Sequence, residues 1–290
     1  MEQYRFYLSY GGGIGDVWWD YLRDPAARRI ASLAEDHGAK VRIYTQCHCD
    51  AVDDLFRIHP HIYDHISEPW RLPNAEDSKR FREPIGDWIP LQRMDWVLQT
   101  VGMIHRLVEP AIHVSESERV LLDELLSVRP CIVVQPYAGL SDRDALNPPA
   151  LRRLVDEIVN LNHNARILVV GKNHERGCKY STEVGIEHPN VVDLIDQLGI
   201  RVAFHLVARC DAFCGAHSNL IRVAWDFRRR NICVLPDPLM TRHIPQLDGK
   251  YTYGFGHEES RTFTYPFDHG QPRAFEQLDF AGMARHLLGR

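Results

Sequence analysis

The sequence predicts an α/β protein whose two doubly wound domains face each other across a cleft. Strand and helix patterns alternate through the first third of the chain, and a second alternating series begins after Arg129-Pro130. Such alternation builds parallel sheets joined by crossover helices, and ligands bind at the carboxyl ends of their strands. With 290 residues the chain is long enough for two halves of this kind.

The first half contains strand patterns bounded by turn residues and helix patterns with apolar residues at helical spacing. Ser115 and Glu118 form a capping box at the start of its last helix. The segment 69–90 is either a functional loop facing the cleft or an insertion without a direct role. Strands are predicted at 5–8, after Gly38 within 39–47, and at the end of 59–66, where a turn leads into a short strand. Helices are predicted at 17–37, 50–58, 91–108 and 115–126.

The second half opens with an apolar run at 131–134, which is typical of a buried strand. The segment 246–272 has no clear periodicity and is interpreted as a lid. We expect domains at 1–128 and 129–272, followed by a closing helix at 273–290. Strands are predicted at 131–134, 165–171, 190–194, 211–214 and 231–236, and helices at 151–161, 200–208 and 219–227.

The composition is that of an ordinary globular protein, with 44% hydrophobic and 25% charged residues. A net charge of −5 argues against a general nucleic-acid binder, which usually carries a basic surplus. The sequence shows no apolar run of about 18 residues. We therefore expect a cytoplasmic protein with neither a secretory signal nor a stable membrane insertion.

The seven cysteines are odd in number and irregularly spaced, which favours free thiols in a reducing compartment. Two local groups are candidate zinc ligands: Cys47-His48-Cys49, and the pair Cys210 and Cys214. A zinc site needs two well-spaced pairs, and buried cysteines also behave as small apolar residues. We therefore expect no metal site.

The stretch SYGGGIGDVWWDYL follows the first strand and carries a glycine cluster before a helix. Gly12, Gly13 and Gly15 allow a ligand to approach the backbone, and the following helix offers unpaired N–H groups to an anion. Asp16 lies where a carboxylate can accept a proton from a bound substrate. The alternative is that Asp16 is an N-cap and that the glycines only form a tight turn.

In order along the chain, several motifs resemble the heptosyltransferase family of nucleotide-sugar glycosyltransferases, which have the two-domain GT-B fold. The resemblance covers about the first 240 residues, and each motif is weak when taken singly. The motifs are Gly12-Gly13-Ile14-Gly15-Asp16, the helix, turn and strand of 55–64, Gln135-Pro136-Tyr137-Ala138-Gly139 after a buried strand, the strand 210–215 with the turn 216–219, and ICVLPDP.

Two departures from the family pattern leave the donor sugar open. The family has Asp-Ser/Thr-Gly at its last turn and a histidine one helical turn later, whereas this chain has His217-Ser218-Asn219 and then Arg222. The family often has a lysine followed by Trp-Pro after its phosphate loop. Here the matching segment is 142–148, and Arg143 is its cation.

The resemblance implies two Rossmann-like domains, the first on the acceptor side and the second binding the nucleotide sugar. It also implies that the closing helix packs back on the first domain. Asp16 would be the general base, and Gly12, Gly13 and Gly15 would let the loop approach the substrate.

The remaining predicted site residues are donor-binding residues of the second domain. Ser218 and Asn219 would hold phosphates at a helix N-terminus, with Arg143 and Arg222 supplying positive charge. Tyr137 follows the first strand of that domain. Lys172 would meet the nucleotide, and His217 would contact sugar or phosphate. The structural alternatives are an N-cap for Ser218, a solvated Arg222, an exposed Lys172 and a turn role for His217.

The resulting hypothesis is an inverting glycosyltransferase that uses a nucleotide-diphosphate sugar without metal or other cofactor. Its acceptor is open and includes a small molecule, a glycan or a modified nucleobase, and its oligomeric state is not predicted. The alternatives are a non-catalytic nucleotide or nucleotide-sugar binding protein and a nucleotide-sugar epimerase of the same architecture.

Overall fold

The structure is a computed structural model that divides into two compact units, Met1–Ser115 with Gly199–Arg201, and Glu116–Leu198 with Val202–Arg290. It describes residues 4–8, 41–45, 62–67, 114–137, 146–171, 186–216, 218–236, 258–266 and 274–290. Across these ranges, no helix combines the length and the apolar character needed to cross a bilayer.

The first unit contains a parallel sheet of three short strands, in the order β1-β2-β3. Tyr4 pairs with Val41 at one end of the first two strands, and Leu8 pairs with Thr45 at the other end. All three predicted strands are confirmed. The helices predicted at 17–37, 50–58 and 91–108 and the segment 69–90 lie outside the described residues. The strands are β1 (Tyr4–Leu8), β2 (Val41–Thr45) and β3 (Ile62–Ser67).

The second unit contains a six-stranded parallel sheet in the order β6-β5-β4-β7-β8-β9. From β4 the chain first adds strands on one side, and it then returns to add β7 to β9 on the other. This is the classic order of a doubly wound sheet, and the direction reverses between β4 and β7. The strands are β4 (Cys131–Gln135), β5 (Arg166–Val169), β6 (Val191–Asp193), β7 (Ala212–Ala216), β8 (Arg230–Pro236) and β9 (Ser260–Tyr265).

Three of the described helices begin at a capping side chain. The side chain of Asn147 accepts the Ala150 N–H at 2.9 Å, and prolines occupy the first helical positions, where their missing N–H costs nothing. The second helix therefore begins earlier than the predicted residue 151. The helices are α1 (Glu116–Leu125), α2 (Pro148–Leu161), α3 (Ile200–Arg209), α4 (Asn219–Asp226) and α5 (Phe280–Leu287).

Helices cover the sheet of the second unit. Its central strands are therefore buried along their whole length. Side chains at alternate positions face opposite sides of a sheet. Ile132 and Cys214 belong to the core formed with α2 and α5, whereas Val133 and Phe213 are buried on the other side. Helix α4 packs against β7 and β8, which fixes its N-terminus beside the carboxyl end of β7.

At the amino end of the central strands, Asp211 joins β4 to β7. Its carboxylate accepts the Cys131 N–H at 2.7 Å and pairs with Arg129 at 2.8 Å. The Asp211 N–H in turn donates to the Cys131 carbonyl at 2.9 Å. The aspartate of the 210–215 motif thus has a structural role, at the end of the strands opposite the site described below.

The carboxyl-terminal segment contains a strand that the sequence analysis did not predict. Strand β9 lies within the segment 246–272, for which the sequence predicts a lid, and it pairs with β8. Helix α5 packs against α2 and buries Phe280, Met283 and Leu287 in the core of the second unit. The helix predicted near the end of the chain is thereby confirmed, while its packing on the first domain stays a prediction.

Candidate functional site

The candidate site lies at the reversal point of the six-stranded sheet, where β4 and β7 end side by side. Gln135 is the last residue of β4 and pairs in register with Gly215 of β7. Two residues beyond the end of β7, Ser218 caps the N-terminus of α4. Ligands of doubly wound sheets bind in the crevice at this point, because the adjacent connections leave in opposite directions.

A hydrogen-bonded pair of side chains lies at the reversal point. The Ser218 hydroxyl donates to Gln135 Oε1 at 2.5 Å, although the two residues are 83 positions apart in the chain. Gln135 is 8% exposed, whereas Ser218 is half-buried. The Leu220 N–H donates to Ser218 Oγ at 3.3 Å and to Asn219 Oδ1 at 3.1 Å. Ser218 is therefore an N-cap, as its structural alternative predicted, and it is also joined to the neighbouring strand.

The N-terminus of α4 is suited to an anion. Its first turn contains no acidic side chain, so nothing there offsets the positive end of the helix dipole. Arg222 lies one turn into the same helix and is half-buried. The positive end of a helix dipole and a positively charged side chain on the same helix are features that favour a phosphate or carboxylate group.

Gly215 allows the two strand ends to approach each other closely. A Cβ atom at this position would lie 2.7 Å from a ring carbon of Phe213 and 3.1 Å from the Gln135 Cβ. Carbon atoms of unbonded groups normally stay about 3.5–4.0 Å apart. The absence of a side chain at Gly215 thus lets Gln135 occupy its place beside β7.

Tyr137 has a packing role on the carboxyl side of β4. It is partly buried and packs against the core of α2 and α5. Next to it, the Leu146 N–H donates to the Pro136 carbonyl at 3.1 Å, which joins the two sides of the segment 138–145. Tyr137 is therefore near the site in the chain, and its predicted contact with the donor stays a prediction.

Four predicted site residues belong to the described part of the chain. Ser218, Asn219 and Arg222 lie together at the beginning of α4, and Tyr137 follows β4. Their predicted roles toward a ligand stay predictions. The other predicted site residues lie outside the described residues: Asp16, Gly12, Gly13, Gly15, Arg143, Lys172 and His217.

Comparisons with known proteins find likeness in solved structures alone, since no family model and no curated protein matches this chain. The E. coli ADP-heptose lipopolysaccharide heptosyltransferase II is similar over 100% of this chain and 98% of its own, with 13% identity and a TM-score of 0.57. A glycosyl transferase family 9 protein from Veillonella parvula is similar over 99% and 97%, with 10% identity and a TM-score of 0.61. The E. coli heptosyltransferase WaaC solved with ADP is similar over 91% of each chain, with 11% identity and a TM-score of 0.50.

The chain has the fold of the heptosyltransferase-like glycosyltransferases. The resemblance predicted from the sequence motifs is thus confirmed at the level of the fold. The turn that the sequence analysis compared with the family's Asp-Ser/Thr-Gly turn lies in the connection from β7 to α4. Ser218 belongs to this connection, and its hydroxyl caps the helix.

The sequence analysis did not single out Gln135 as a site residue. The available signal was a polar side chain at the end of an otherwise apolar strand, directly before Pro136. A buried glutamine needs hydrogen-bond partners, so its position alone indicated a polar contact beyond the strand. The identity of that partner could not be read from the sequence.

The described cysteines have the character of core residues. Cys210 and Cys214, one of the two groups weighed as metal ligands, are fully buried, and Cys210 donates to the Val207 carbonyl at 3.2 Å. Burial raises the pKa of both thiols far above the ordinary value, and it raises the pKa of Cys131 to about 11. These thiols therefore stay protonated, and the thiolate is the form that binds metals or attacks electrophiles. Cys47-His48-Cys49 lies outside the described residues.

Proposed function

We propose that this protein is an inverting glycosyltransferase that transfers a sugar from a nucleotide-diphosphate sugar to an acceptor hydroxyl without a metal ion. The observation that supports this proposal best is the polar site at the reversal point of the six-stranded sheet. It offers a capped helix N-terminus without acidic residues in its first turn, as a diphosphate requires. The shared fold adds support, since one of the similar heptosyltransferases was solved with ADP.

The proposal assigns the two units different tasks in a GT-B arrangement. The second unit would bind the donor at the N-terminus of α4, with Ser218 and Asn219 near the phosphates and Arg143 or Arg222 supplying charge. Lys172, Tyr137 and His217 would complete the donor contacts. The first unit, with its three-stranded sheet and the glycine-rich segment 11–15, would hold the acceptor.

In the proposed reaction, Asp16 takes the proton of the acceptor hydroxyl. The acceptor oxygen forms a bond to the anomeric carbon as the bond from that carbon to the diphosphate oxygen breaks. The nucleoside diphosphate leaves with its negative charge, which the helix N-terminus and an arginine stabilise. Displacement from the opposite face inverts the anomeric carbon.

The test combines ligand binding with turnover. Thermal unfolding of the full chain is measured with ADP, UDP, GDP, CDP and dTDP, because a ligand that binds the folded state raises the apparent melting temperature. Sugar nucleotides that contain the nucleoside diphosphate found to bind are then incubated with the protein without acceptor, and their slow hydrolysis is measured. We expect Asp16→Asn to abolish hydrolysis while leaving nucleotide binding intact.

Asp20→Asn is the matched control, because it removes a carboxylate four positions further along the same segment. It should hydrolyse the sugar nucleotide as the wild type does. No stabilisation by any of the five nucleotides would contradict the proposal. Tight binding without turnover, unchanged in Asp16→Asn, would instead indicate a non-catalytic nucleotide-binding protein.

A further inference from the structure

We draw no further inference here: the strongest candidate, the surface patch of arginines at the amino end of the six-stranded sheet, carries nothing, because the carboxylates of Asp123, Asp211 and Glu259 pair with its arginines and nothing in the described residues shows what would bind it.

Discussion

Replacing Gly215 with alanine tests whether the close approach of β4 and β7 builds the candidate site. The added Cβ would lie 2.7 and 2.9 Å from two ring carbons of Phe213, about 1 Å inside normal contact. Phe213 is fully buried, so its ring cannot turn away into solvent. Overpacking of this kind costs about 1–3 kcal/mol of the free energy of unfolding.

The assay is thermal unfolding, in which about 1 kcal/mol corresponds to a fall of roughly 2–4 °C for a domain of this size. We therefore expect Gly215→Ala to lower the melting temperature by about 2–12 °C. Because the same Cβ would lie 3.1 Å from the Gln135 Cβ, the substitution should also weaken nucleoside-diphosphate binding in the folded protein.

A double-mutant cycle with Phe213→Leu identifies the cause. Trimming the ring removes the atoms that the new Cβ would meet, so the double variant should lose less stability than the sum of the single losses, by at least about 0.5 kcal/mol. Additive losses, or an unchanged melting temperature in Gly215→Ala, would refute the steric argument.

Two further predictions concern the stability of the second unit. Asp211→Ala removes the acceptor of the buried Cys131 N–H and should cost about 1–3 kcal/mol in urea unfolding. Arg129→Ala breaks a partly exposed ion pair and an exposed hydrogen bond to the Arg209 carbonyl at 3.2 Å, and it should cost about 1 kcal/mol or less. Both variants should bind nucleotide as the wild type does. Equal losses of unfolding free energy in the two variants would show that the hydrogen bond from the Cys131 N–H to Asp211 adds nothing to stability. Burial lowers the pKa of His286 from its ordinary value of 6.5, with its Nε2 hydrogen-bonded to the carbonyls of Asn231 and Glu259 at 3.2 and 3.0 Å. The unfolded state then binds the proton first as the pH falls below about 6.5, so stability should decrease from there toward the lower folded pKa. His286→Gln should flatten this part of the profile of unfolding free energy between pH 7.5 and 5, and an identical slope would refute the assignment.

Most elements of the second unit were predictable because their signals are local. The run at 131–134 is apolar because β4 is buried on both faces, and a capping side chain precedes α4. The sequence analysis missed strand β9 because the local signal of this strand is weak. Its alternation of polar and apolar residues is short, and the strand is half-buried, so it resembles an irregular segment.

The candidate site was only partly predictable. Ser218, Asn219 and Arg222 were found because a polar turn before an amphipathic helix is visible in the sequence. Gln135 was quoted within a motif but not assigned to the site, since its partner Ser218 is 83 residues away. The role of Asp211 was also not visible, because its acceptor position depends on the pairing of β4 with β7.

The sequence by itself determined the class of the fold, the order of most strands and helices, and the helix caps, since periodicity and capping act between residues a few positions apart. Only the tertiary structure decided that β4 and β7 are neighbours, that β9 completes the sheet and that α5 packs on α2. These choices depend on which surfaces bury each other after long loops close. The same long-range pairing brings Gln135 to Ser218 and so turns a capped helix N-terminus into a candidate site.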